Sequence, residues 1–162
     1  MSIRSSAASS ILRSAAVALC LIAAAAPAAA QLDAISEEAR KDPFILIRLA
    51  ALSLETPEEQ GEALSGLVQA ELARGDLQEA TKELSRITDG YWQAASLIKL
   101  ADYQIEKNRK TEALAALNDA IGAAAKAREN PETEHLVREI AVRRNALGDE
   151  AGAVTTTKLI RD

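Results

Sequence analysis

Three segments of this chain repeat one short pattern, and that pattern restricts the fold more than any other feature. They run from Leu64 to Ile87, Leu97 to Ile121 and Val137 to Ile160, and they align on Gly75, Asn108 and Gly148. Five residues after each anchor stands an alanine: Ala80, Ala113 or Ala153. Eight residues before it stands Leu67, Leu100 or Ile140, and eleven before it Leu64, Leu97 or Val137. Aliphatic residues three apart make a stripe on a helix, and a small alanine on the next helix lets two backbones approach. Gly or Asn between them supplies the left-handed residue that ends a helix. One such hairpin cannot bury its apolar face, whereas several stacked together can. The anchors are 33 and then 40 residues apart, and 33 before Gly75 stands Asp42, which opens another apolar helix. Residues 31–56 therefore read as N-terminal helices, with room for one truncated unit.

The rest of the chain agrees with an all-α class. No alternating apolar and polar run is bounded by turns, and Val154-Thr155-Thr156-Thr157 is the one β-leaning stretch. Asp42-Pro43, Thr56-Pro57 and Asn130-Pro131 each put a capping side chain before a proline at the first helical position, where its missing N–H costs nothing. Thr56 with Glu59, and Asp76 with Glu79, have the spacing of a capping box. Gly75, Gly90 and Gly148 stand where the chain must reverse. The expected helices are 35–41, 43–54, 57–73, 77–87, 91–106, 111–127, 131–146 and 149–161. Their short linkers make neighbouring helices antiparallel.

Residues 1–30 read as an address. Arg4 and Arg13 are their only charges, Ser14 to Ala26 is an uncharged apolar run, and Pro27-Ala28-Ala29-Ala30 supplies small residues before Gln31. This is the layout of a secretory signal peptide, and the apolar run is shorter than the ~20 residues of a spanning helix. Leu19 before Cys20 stands where a lipidated cysteine needs a small residue, so lipidation is rejected. The expected destination is the periplasm or the medium. A mitochondrial transit peptide is the competing reading, because the segment is also rich in serine and free of acids.

The repeating pattern resembles the tetratricopeptide repeat (TPR) family, whose units are about 34 residues long. The match rests on Leu64/Leu67, Leu97/Leu100 and Val137/Ile140, and on Gly75-Asp76 with Ala80, Asn108 with Ala113, and Gly148-Asp149 with Ala153. Ala101 and Ala141 fill the small position beside the stripe, where Val68 departs from the pattern. Glu71, Gln104 and Arg144 replace the family's mid-helix aromatic, the closing prolines are missing, and Thr157 stands where a large apolar residue is expected. The resemblance implies three TPR-like hairpins over residues 57–162, stacked as a short α-solenoid. An ordinary antiparallel bundle is the alternative. It also implies a groove lined by the first helices: Glu62, Ser65, Gln69 and Leu72, then Ile98, Asp102 and Ile105, then His135, Arg138, Val142 and Asn145. Some family members grip a C-terminal carboxylate with Lys and Asn at fixed groove positions. Those places here hold Ser65/Gln69, Ile98/Asp102 and Arg138/Val142, so that clamp is absent and Arg138 is left to pair with an acidic group.

Chemistry is thin by comparison. His135 is the single histidine and Cys20 the single cysteine, so no multi-histidine or cysteine metal site forms, and neither metal nor cofactor is expected. The seven glycines are scattered singly and make no phosphate loop. Glu58/Glu59 and Glu132/Glu134 lie in expected first helical turns, where negative charge suits the helix dipole. A small secreted helical hydrolase using Glu58 or Glu132 is the enzymatic alternative to a non-catalytic interaction module. The formal net charge of −5, more negative still without Arg4 and Arg13, argues against a nucleic-acid partner. The expected partner is a protein or peptide of the cell envelope. A second copy of the chain is a further option, for two reasons. Pro43 to Leu54 has only Arg48 and Ser53 as polar interruptions, too short to span a membrane, and reads as a buried helix or an association face. Val154, Leu159 and Ile160 on the last helix would need cover from another subunit or from the N-terminal helices. Trp92 reads as a packing anchor beside Gly90. If residues 1–30 are a signal peptide, the intact mass of exported protein corresponds to a chain beginning at Gln31. Retention of Met1 in the exported protein overturns that assignment.

Overall fold

The structure, a computed structural model, describes residues 42–160 apart from Arg128, together with Glu37 and Ala39. The segment 1–30, expected from the sequence to be a signal peptide, lies outside the described residues, as does the expected helix 35–41 apart from those two, which are helical. The chain divides into two units, Met1–Leu46 and Ile47–Asp162. In the first unit, the Phe44 N–H donates to Asp42 Oδ1 at 3.1 Å, which starts a helix as the Asp-Pro signal requires.

Seven helices and no strand occur among the described residues: α1 (Phe44–Leu52), α2 (Pro57–Arg74), α3 (Leu77–Arg86), α4 (Gly90–Glu106), α5 (Lys110–Lys126), α6 (Thr133–Ala146) and α7 (Glu150–Thr157). The class is all-α. None of these helices is long and apolar enough to cross a membrane. Within the second unit consecutive helices pack in pairs, α2 with α3, α4 with α5 and α6 with α7. The first helices also touch in sequence, α2 with α4 and α4 with α6.

The three anchors behave alike. Gly75, Asn108 and Gly148 have φ of 80°, 57° and 76°, the left-handed region that glycine and asparagine enter most readily. Each turn is closed by the same two hydrogen bonds. Asp76 N–H donates to Glu71 O, Arg109 to Gln104 O and Asp149 to Arg144 O, at 2.8–2.9 Å. The anchors themselves donate to Leu72 O, Ile105 O and Asn145 O, at 2.9–3.0 Å. This pairing satisfies the last carbonyls of α2, α4 and α6. The next helices are capped in turn: Asp76 accepts from the Glu79 N–H and Asp149 from the Gly152 N–H, both at 3.1 Å. Thr56 and Glu59 form the reciprocal capping box at the start of α2.

The stripes are buried where the spacing put them. Leu64, Leu67, Leu97, Val137 and Ile140 are in the core, with Leu100 packed at its edge, and Ala80, Ala113 and Ala153 are buried opposite. The main core joins α4, α5 and α6 through Ala94, Leu97, Ile98, Ala101, Ala116, Leu117, Ala120, Ala123, Ala124, Leu136, Val137 and Ile140. Half of these twelve are alanine, so the helices approach closely.

Four expectations change. Gly90 is not a left-handed turn; it opens α4, whose N-terminus is capped by Asp89 accepting from the Trp92 N–H at 2.9 Å. Glycine is needed there for space, because a Cβ would stand 2.9 Å from Ala123 O and 3.1 Å from Ala127 N. Helix 131–146 begins at Thr133 instead, because Asn130 caps a turn: its side chain accepts from the Glu132 N–H and its carbonyl from the Thr133 N–H. Helix 149–161 stops at Thr157. The hydroxyls of Thr155, Thr156 and Thr157 all bond back to carbonyls of the preceding turn, a habit that weakens helices. In the apolar stretch before α2, Ala51 is buried, whereas Leu46, Ile47, Leu49, Leu52 and Leu54 are exposed. That stretch is therefore not simply a buried core helix.

Charge ties α1 to α3. Glu83 is fully buried and bonds to Arg48 Nε and Arg86 Nη1, while Arg48 Nη2 lies 3.3 Å from Glu79. A carboxylate taken out of water needs such partners. Trp92 packs on Gly61 of α2, where a Cβ would meet it at 2.9 Å, and its ring meets Tyr91 edge-on at 5.1 Å.

Glycine substitutions test this packing. Gly90→Ala is expected to lower Tm, because forcing a methyl between α4 and α5 costs roughly 1–3 kcal/mol. Gly122→Ala, on the open face of α5 with nothing near its Cβ position, is expected to raise Tm by removing backbone freedom of roughly 0.5–1 kcal/mol. A Gly90→Ala protein as stable as the parent means that α4 and α5 stand further apart than described.

Candidate functional site

The face built by the first helices carries a shallow depression of about 310 Å³ between α2 and α4. Gln69, Leu72 and Ala73 line it from α2, and Lys99, Asp102, Tyr103 and Glu106 from α4. Their positions reflect helical spacing. Lys99, Asp102, Tyr103 and Glu106 lie three or four apart and so share one face of α4, as Gln69, Leu72 and Ala73 do on α2.

Two polar seams frame the depression. On the α2 side, Lys99 Nζ donates to Gln69 Oε1 at 2.9 Å and to the buried Ser65 hydroxyl at 3.4 Å. Burial pushes the Lys99 ammonium below its usual range, since the charged form loses hydration and gains only neutral acceptors. No ion pair joins Lys99 to a carboxylate among the described residues. On the α6 side, Arg143 grips Asp102 with two parallel bonds, Nε to Oδ1 at 2.7 Å and Nη2 to Oδ2 at 2.8 Å. Arg143 also reaches Glu139 at 3.1 Å, and Glu139 reaches His135 at 3.1 Å. The hydrogen bond to Asp102 leads the effects that raise the Arg143 pKa, so this guanidinium is firmly charged. Tyr91 is also shifted upward, by burial first and then by the charges of Glu132 and Glu139.

The groove residues expected from the sequence separate in the structure. Gln69, Leu72 and Asp102 come together at the depression. Val142 and Asn145 line a second depression of about 290 Å³ between α6 and α7, with Ala141, Ala153, Val154 and Thr157. Ser65, Leu72 and Ile98 are buried, which gives Ser65 and Ile98 to packing and to the Lys99 bond rather than to open surface. Glu62, His135 and Arg138 are exposed, Ile105 is half-buried, and Arg138 lies 3.8 Å from Glu134. Glu58 and Glu132 are exposed near the starts of α2 and α6. Among the described residues no three His, Cys, Asp or Glu side chains gather where a metal could be held.

Lys99, Tyr103 and Glu106 are not singled out by the sequence pattern. The signal is present, since all three continue the face marked by Asp102. Using it requires knowing how far α4 is rolled against α2. Comparison with protein-family models, with curated proteins and with solved structures finds no match to this chain.

A lysine whose folded pKa lies below its unfolded one opposes folding while it stays charged, and the penalty fades as pH rises towards the ordinary value of 10.5. Lys99→Met is therefore expected to hold or raise Tm at neutral pH, with the difference shrinking in alkaline buffer. A clear fall in Tm would mean that the bonds to Ser65 and Gln69 outweigh the loss of hydration.

Proposed function

We propose that this chain is an exported, non-catalytic TPR-like interaction module that holds a segment of a partner protein of the cell envelope. The segment lies on the face made by α2, α4 and α6, and no cofactor or nucleic acid takes part. The observation that carries the proposal is the α2–α4 depression, where three groove residues expected from the resemblance, Gln69, Leu72 and Asp102, meet an amine, a phenol and a second carboxylate. Such a mixed polar and aliphatic surface suits an extended peptide or a partner helix, whose side chains bring both kinds of group. The stacked reading of residues 57–160 draws support from three turns of the same geometry and from contacts that run α2 to α4 to α6.

Self-association is the second reading, and one observation favours it. Val142 and Val154 are 68% and 59% exposed beside the α6–α7 depression. Exposed apolar side chains that line a hollow are a habit of interfaces.

A photo-crosslinking residue in place of Glu106, in cells that make the protein, is expected to trap one discrete partner that the same residue in place of Asn118, exposed on α5, does not trap. Adducts made only of two copies of the chain favour the homo-oligomer. The same diffuse mixture from both positions overturns the assignment of the face.

A further inference from the structure

We infer that Lys99 is a specificity determinant of this face, and that it selects a single Asp or Glu side chain within the bound peptide. The inference rests on the proposed binding role and goes beyond it by naming the chemistry of the ligand. An ammonium carries three donors, and the described structure gives this one two neutral acceptors, Gln69 Oε1 and Ser65 Oγ. Asp102, three residues from it on the same helix, has both oxygens engaged by Arg143. A cation held by an amide and a hydroxyl, at the edge of a hollow and partly stripped of water, gains most from an anion that arrives with the partner.

The rest of the hollow says which anion. Leu72, Ala73 and Tyr103 give it apolar walls, so the acid enters beside an apolar neighbour. Glu106 lies seven residues beyond Lys99 on α4, roughly 10 Å along the helix axis, and its charge turns away a second acid at that end. One acidic residue next to an apolar one is therefore preferred over an acidic run. An internal side chain fits this arrangement better than a free chain end, because apolar lining residues adjoin the amine.

The test uses the full chain and a random library of short peptides, acetylated and amidated at their ends so that side chains carry the only carboxylates. Wild type is expected to enrich Asp or Glu at one position beside an apolar residue. Lys99→Met is expected to lose that enrichment while keeping the apolar preference, and to bind the best peptide about tenfold more weakly, as loss of one charge-assisted bond at a partly wet site implies. Lys99→Arg keeps the preference, and Lys99→Glu turns it towards Lys and Arg. Enrichment without an acid, or an acid preference that survives Lys99→Met, overturns the role of Lys99 and leaves the binding face standing. Binding restored only by a free C-terminus overturns the choice of an internal side chain. If no peptide is enriched, the binding face itself fails, and this inference with it.

Discussion

The close approach of α4 and α5 is the constraint on which the rest of the unit depends. Ala116, Ala120, Ala123 and Ala124 on α5 and Ala94 and Ala101 on α4 contribute little side chain, so the two backbones do much of the packing. With only 2% aromatic residues in the chain, a core of ordinary spacing would be left with voids, and dispersion contacts fall away quickly with a gap. Gly90 marks the limit of this closeness, since its missing Cβ is the room that Ala123 O and Ala127 N occupy. A surface of small residues is rigid but featureless. Chemistry therefore has to appear where longer side chains begin, on the outward face of α4.

That face is polar in two directions from one turn of helix. Lys99 reaches back to Ser65 and Gln69 on α2, and Asp102, three residues on, reaches forward to Arg143 on α6. Apolar stripes alone fix the depth of packing between first helices but only weakly fix their sliding, since aliphatic contacts are not directional. A bidentate Arg–Asp pair is directional, because two parallel bonds tolerate little rotation. The α4–α6 relation is thus fixed by apolar depth and ionic register together. Elsewhere in the unit, Glu83 of α3 draws in Arg48 of α1 and Arg86 of its own helix.

Much of this is legible in the sequence, and the part that is not has identifiable physical causes. Turn residues and buried stripes are local. Gly75, Asn108 and Gly148 need only their own backbone to be left-handed, and Leu64 with Leu67 needs only helical spacing to share a face. The failures come from a neighbouring helix in some places and from side chains bonding to their own turn in others. Gly90 looks like a turn glycine until α5 is placed against it, and Asn130 looks like a helix cap until its own side chain closes a turn on Glu132. The groove shows the same limit at finer scale. Successive residues on a helix point about 100° apart, so a small roll of α4 decides between Ile98 and Lys99. The residue expected on the open face is buried, and the next one lines the hollow.

The Asp102–Arg143 pair then has a second consequence, beyond fixing register. Lys99 and Asp102 are three apart on one helix, a spacing at which oppositely charged side chains ordinarily meet. Left to itself, Asp102 would be the natural partner of Lys99, and the amine would have no need of an outside anion. Arg143 bonds to both oxygens of Asp102 and balances its charge, as a guanidinium fork matches a carboxylate where an ammonium offers a point charge. The tie that sets α6 on α4 therefore also engages the acid three residues from Lys99, while the amine's own bonds go to the neutral Ser65 and Gln69. Packing between helices and the character of the open face are one electrostatic arrangement, seen from its two sides.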